Sequence, residues 1–152
     1  NLSLQVDMLQ SLLRGSSVQQ DGKSASLTAP NGAAQSKLLS TTLDRAALKE
    51  ATPQAAETHG TGTGLGDPTE VGALVSAFGS KHAVILGAVK ASTGHLEPTA
   101  GMVSLAKAAL SLTQGWTAGN VQLRAVNPHI KASSFGSQRL VLLPLSQLAI
   151  VP

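Results

Sequence analysis

The stretch ETHGTGTGLGDPTEVGAL, residues 57–74, sets five glycines beside one histidine and runs straight into a helical pattern. Upstream, Ala55 to Thr58 reads as a short buried strand behind the breaker Pro53. Downstream, Asp67-Pro68 reads as an N-cap followed by the first helical residue, with Glu70 three positions after Asp67 and Gly79 as the stop. The glycines match no phosphate-binding turn: GTGTGLGDP lacks the G-K-[ST] of a P-loop, and Gly60, Gly62, Gly64 and Gly66 alternate without G-x-G-x-x-G spacing. So dense a run predicts that something approaches the backbone closely.

Working outward, HAVILGAV at 82–89 is rich in β-branched residues and predicts a strand buried on both faces. The loop ASTGHLE follows, then a helix with Pro98 at its start, apolar residues at helical intervals and Gly115 as its stop. On the other side, residues 33–51 predict an amphipathic helix carrying Leu38, Leu39, Leu43, Ala46 and Ala47. Residues 14–32 read as a loop marked by DG at 21–22 and NG at 31–32. Residues 4–13 suit a strand or a short helix, and 117–126 and 139–143 suit two further strands. Alternating strands and helices predict an α/β fold, in which ligands sit at the carboxyl ends of the strands. Both histidine loops fall there.

Composition narrows the function classes. The 152 residues suit one domain, and 42% hydrophobic against 12% charged residues fits a well-buried chain or one covered by partners. The net charge of +3 comes from eleven Lys and Arg spread singly, and aromatics make up only 2%, which argues against nucleic acid. With no cysteine, the chain has no disulfide, thiolate metal site or cysteine nucleophile of its own. The apolar stretch 140–152 is short and broken by Pro144, so it reads as a strand plus a tail rather than a membrane span. Asn1 rather than Met at the start fits a processed or excerpted chain. No targeting segment is visible, and the compartment stays open between cytoplasm and an organelle such as a plastid.

His59 and His95 follow two strands and are flanked by glycine and threonine. Neutral imidazoles so placed can donate Nε2–H bonds to one carbonyl oxygen and stabilise an enolate or oxyanion without a metal. No third His, Cys or carboxylate sits at ligand spacing, so no metal site is expected. His82 and His129 are read as structural. Lys90 directly follows the buried strand and is read as pairing with a carboxylate or polarising the same site, against the ordinary alternative of a solvated lysine.

ETHGTGTGLGDPTEVGAL and VKASTGHLEPTAG resemble the two histidine motifs of the β-ketoacyl synthases, the ketosynthases of fatty acid and polyketide synthesis. RGSSVQQDGKSASLTAPNGAAQ and NVQLRAVNPHI resemble the stretches that flank those motifs, so the likeness extends over residues 12–136. It implies the C-terminal half of a thiolase-like fold with a mixed sheet, ending at residue 136, followed by a final strand and a divergent tail over 137–152. It implies acyl transfer and decarboxylative Claisen condensation. His59 and His95 would hold the thioester carbonyl and then the enolate, Lys90 would organise the site, and Thr61, Gly62, Thr63 and Gly94 would line the approach of the thioester. No cofactor would be tightly bound; the phosphopantetheine arm of an acyl carrier protein would bring the malonyl unit.

The family's nucleophilic cysteine lies in the other half, so this cysteine-free chain is not expected to form an acyl-enzyme alone. The family also continues from a segment resembling Ser133 to Gly136 into a glycine-rich loop that completes the oxyanion hole, whereas here Gly136 runs directly into SQRLVLLP, and the linker between NPHI and SSFG is short. These departures motivate the alternative of a non-catalytic accessory subunit in a larger multi-protein complex. In either case a partner is expected: a cysteine-bearing half or other subunits covering Val84, Ile85, Leu86 and the helix at 98–114.

Overall fold

The computed structural model describes residues 11–24, 26, 28–48, 53–78, 83–121 and 123–130, and the backbone of 140–142 and 148–149. Helix α1 (Gly32–Arg45) begins because Asn31 caps it: the Asn31 side-chain oxygen accepts the Ala34 N–H at 3.1 Å. The amide nitrogen of the same side chain donates to the carbonyls of Asp21 and Lys23, which fastens the preceding loop to the helix start. The NG pair read as loop chemistry is therefore a helix cap. Ala46 caps the helix with its N–H on Thr42 O, so α1 ends at Arg45, six residues short of the expected end; residues 49–51 of that expectation lie outside the described residues.

Strand β1 (Ala55–Glu57), helix α2 (Gly66–Phe78) and strand β2 (Val84–Gly87) form a βαβ unit, with β1 and β2 parallel and Ala56 opposite Leu86. Strand β4 (Leu140–Leu142) pairs parallel on the other side of β2, giving the order β1-β2-β4. The central strand is buried at every position, as its β-branched run predicted, while β1, outermost of the described strands on its side, is only half-buried. Helices α1 and α2 pack closely: a methyl added at Gly32 would stand 3.2 Å from Thr69 Cγ2, and the Ser36 and Ser76 hydroxyls meet at 3.1 Å. Val71 and Leu74 of α2 join Val84, Leu86 and Ile130 in the core, with Leu39 and Phe78 against them.

The order differs from the expected one in two places. The loop after β2 holds a short helix, α3 (Lys90–Thr93), and a 3-10 turn (Glu97–Thr99) precedes α4 (Ala100–Gln114). Of the described residues in 117–126, Thr117 ends a two-residue strand, β3 (Trp116–Thr117), which pairs antiparallel with β5 (Leu148–Ala149) inside the stretch read as tail, and Asn120 forms an isolated bridge. Parallel and antiparallel pairing thus fall in separate sheets. The expected domain boundary at 136 and the Gly79 stop lie outside the described residues.

Helix α4 ends as predicted, with Gly115 in the left-handed conformation and its N–H on Ser111 O. Its burial does not match expectation uniformly. Val84, Ile85 and Leu86, expected to need a partner's cover, are buried within this chain, at 2% exposure for Val84. β2 is central in the sheet: Val84 and Leu86 pack with Val71 and Leu74 of α2, while Ile85 points to the other face, on the side of Ala108 and Leu112 of α4. By contrast Met102, Leu105, Leu110 and Leu112 of α4 are all exposed, Met102 by 68%, and Ala100 is the helix's one buried residue. No helix among the described residues is long and apolar enough to cross a membrane.

Candidate active site

The carboxyl ends of β1 and β2 are laced together before either histidine is reached. Both the N–H and the hydroxyl of Thr58 donate to Gly87 O, at 2.7 and 2.9 Å. Asn120, 7% exposed, spans the end of β2: its oxygen accepts the Ala88 N–H at 2.7 Å and its amide donates to Leu86 O at 2.9 Å. These bonds fix where the chain leaves each strand.

His59 leaves β1 two residues after Glu57. Its N–H donates to Glu70 Oε1 at 2.6 Å and the Gly60 N–H to Glu70 Oε2 at 2.9 Å, so one carboxylate holds the whole turn. The N-cap therefore differs from the one expected. Asp67 is turned back to accept the Gly62 N–H at 3.1 Å, and the hydroxyl that caps α2 belongs to Thr63, which accepts the Gly66 N–H at 3.0 Å. α2 then starts at Gly66 rather than at Pro68.

The glycines divide by cause. Gly60 has φ 50° and a side chain there would stand 2.6 Å from Ala88 Cβ; one at Gly66 would collide with the Thr63 hydroxyl. At these two positions the close approach is the fold's own. Gly62 and Gly64 have nothing within 4 Å of an added Cβ and face open space.

Lys90 is the first residue of α3, and its ammonium reaches back across the sheet edge to donate to His59 O at 2.5 Å. Gly94, at φ 75°, ends α3 with its N–H on Lys90 O and turns the chain into His95. The two imidazoles meet at a centroid separation of 5.7 Å with their planes at 86°. His95 Nδ1 accepts the Glu97 N–H at 3.3 Å, which places the proton of a neutral ring on Nε2. Both histidines are exposed in this chain.

The structure thus brings His59, His95 and Lys90 together. Thr61 lies with His59 on the rim of a cavity of about 500 Å³ between α1, β1 and α2, Gly62 is tied to Asp67, and the Thr63 oxygen is engaged in the helix cap. A second cavity, of about 510 Å³, lies beneath the His59 turn, lined by Gly60, Ala88, Asn120 and Ile130. Among the described residues no three His, Cys, Asp or Glu side chains are grouped to hold a metal. His129 donates its N–H to Asn127 Oδ1; His82 lies outside the described residues. Glu57, Asn120 and Lys107 carry no signal in the sequence, and Glu70, whose spacing from Asp67 suggests the helix start, instead holds the histidine turn. Asn120 in particular acts across more than thirty residues, with no local signal.

The sequence matches the family described as Beta-ketoacyl synthase, C-terminal domain, over residues 10–124. It is 38% identical over 133 residues to Highly-reducing polyketide synthase 1 of Aureobasidium melanogenum, covering 85% of this chain and 6% of that protein. It is 37% identical over 129 residues to an erythronolide synthase of Saccharopolyspora erythraea, covering 82% of this chain and 4% of the relative. In structure it is similar to an oxazolomycin ketosynthase domain of Streptomyces albus, with a TM-score of 0.84, 31% identity, and coverage of 96% of this chain and 25% of that one. Ketosynthase twelve of the bacillaene polyketide synthase of Bacillus amyloliquefaciens aligns with a TM-score of 0.82 at 28% identity, over 92% of this chain and 25% of the other. The chain therefore spans a small part of the curated synthases it matches and a quarter of these two ketosynthase structures. With a thiolase-like α/β architecture that its relatives share and a family match over most of its length, this chain belongs to the β-ketoacyl synthases, of which it is a C-terminal domain.

Proposed function

We propose that this domain supplies the histidine side of a decarboxylative Claisen condensation on malonyl units carried by an acyl carrier protein. The observation that carries the reading is the facing pair His59 and His95, 5.7 Å apart, with Lys90 bonded to the His59 carbonyl. Two imidazole N–H groups converging on one thioester carbonyl oxygen would hold it as charge develops. The bond between the malonyl α-carbon and its carboxylate breaks, CO2 leaves, and the electron pair passes into an enolate whose oxygen the two histidines retain. The enolate carbon then attacks an acyl thioester, and the thiolate departs. That thioester would sit on a cysteine contributed from outside this sequence, since these 152 residues contain none. The phosphopantetheine arm is the substrate's carrier, and its approach crosses Thr61, Gly62 and the Gly94 turn.

The test is CO2 release from carboxyl-labelled malonyl carrier protein, measured in the native assembly that contains this chain. His59→Ala and His95→Ala should each lower the rate by about 100-fold or more, the scale of losing an oxyanion donor. Unchanged release with an intact assembly would instead assign the chain an accessory, non-catalytic role.

A further inference from the structure

Glu57 bonds to neither histidine ring, yet it is joined to both histidine segments. It ends β1 two residues before His59, and its carboxylate is largely buried, at 11% exposure. Oε1 accepts the Val89 N–H at 2.5 Å, immediately before Lys90; Oε2 is paired with Lys107 Nζ of α4 at 2.6 Å, itself 17% exposed. The pair fills the space over Gly87, where an added Cβ would stand 2.5 Å from Glu57 Oε2 and 2.9 Å from Lys107 Nζ. One carboxylate thus links the exit of β1, the start of α3 and the middle of α4. Lys90 then closes a ring by bonding back to His59 O.

We propose that Glu57 and Lys107 form a positioning pair that fixes the distance between the His59 turn and the α3–His95 segment. Neither is a catalytic residue; both act through the placement of Lys90 and His95. A buried carboxylate held by a cation and a main-chain donor is a stiff joint, because losing either partner leaves a charge unmatched in a poorly solvated place. The proposal rests on the condensing role argued above, and its test separates the two.

In the native assembly, Glu57→Gln is isosteric and retains an acceptor for the Val89 N–H, Lys107→Met removes both the charge and the donor to Glu57 Oε2, and Lys107→Arg keeps both. Glu57→Gln and Lys107→Met should lower kcat for malonyl decarboxylation about 10-fold or more while KM for malonyl carrier protein stays within about 2-fold; Lys107→Arg should recover most of the rate. Rates are taken at a temperature where thermal unfolding shows each variant fully folded. The imidazole proton resonances of His59 and His95 give a second readout that needs no turnover, and those of His95 should shift in Glu57→Gln. Wild-type kcat retained in Glu57→Gln, or KM alone raised, would overturn the proposal. If the wild type releases no CO2, the condensing role fails and the resonances decide the positioning pair: a shift at His95 supports it, and unmoved resonances overturn it.

Discussion

Lys90 Nζ donates to the carbonyl oxygen of His59 at 2.5 Å, so the residue that opens α3 is bonded to the main chain of the first histidine rather than to its ring. A cation there steadies the turn and adds positive potential beside the imidazole pair. Lys90→Met should leave the fold in place and reduce malonyl decarboxylation by about 10–100-fold, less than the about 100–1,000-fold of a lost oxyanion donor because Lys90 bonds the main chain of His59. CO2 release measured beside a thermal melt checks this; an unchanged rate would reduce Lys90 to a strap on the loop.

Asn120 satisfies two main-chain groups at the end of β2, the Ala88 N–H and the Leu86 carbonyl. Asn120→Ala removes both bonds, and a buried group left unsatisfied costs about 1–3 kcal/mol. A loss of about 2–4 kcal/mol in a denaturant titration is expected on that scale. Asn120→Asp keeps the acceptor but loses the donor to Leu86 O and should also be destabilising.

At Gly60 two penalties coincide, φ 50° and a contact of 2.6 Å between an added Cβ and Ala88 Cβ. Gly60→Ala should cost about 1–3 kcal/mol, the scale of backbone strain at such a position. Adding Ala88→Gly removes the contact but not the strained φ, so the double variant should recover only part of the loss. Full recovery would show that backbone strain contributes nothing there.

Leu74 lies in the core with Val71, Val84, Leu86 and Ile130. Leu74→Ala should destabilise by about 2–5 kcal/mol. Leu105→Ala, at an exposed position of α4, should change stability by less than about 0.5 kcal/mol in the chain by itself. Equal effects at the two sites would mean that α4 is covered when the measurement is made.

Helices are the legible part of this sequence because caps and stops are local. Gly115 ends α4 by its own left-handed backbone, and Pro98 marks the turn before it. The start of α2 is harder to read because Asp67 and Thr63 both carry side-chain acceptors: Asp67 is drawn to the Gly62 N–H, which leaves Thr63 to cap. His59, His95 and Lys90 are legible from motif and spacing. Glu57, Lys107 and Asn120 are not, since their partners lie thirty-two to fifty residues away and only the folded sheet brings them together. The short helix α3 gives no signal for want of length, and neither does β5, because two residues carry no period.

The order β1-β2-β4 also sets a schedule for synthesis. β1, α2 and β2 lie within 33 residues, from Ala55 to Gly87, and can pair as soon as they clear the ribosome, whereas the second neighbour of β2 is encoded from Leu140 onward. At about 5–20 residues per second of translation, β2 keeps one row of unbonded amides and carbonyls for several seconds. During that interval the nascent chain carries an adhesive edge of alternating donors and acceptors. Ribosomal pausing ahead of Leu140 would prolong it and favour mispairing between neighbouring chains on a polysome.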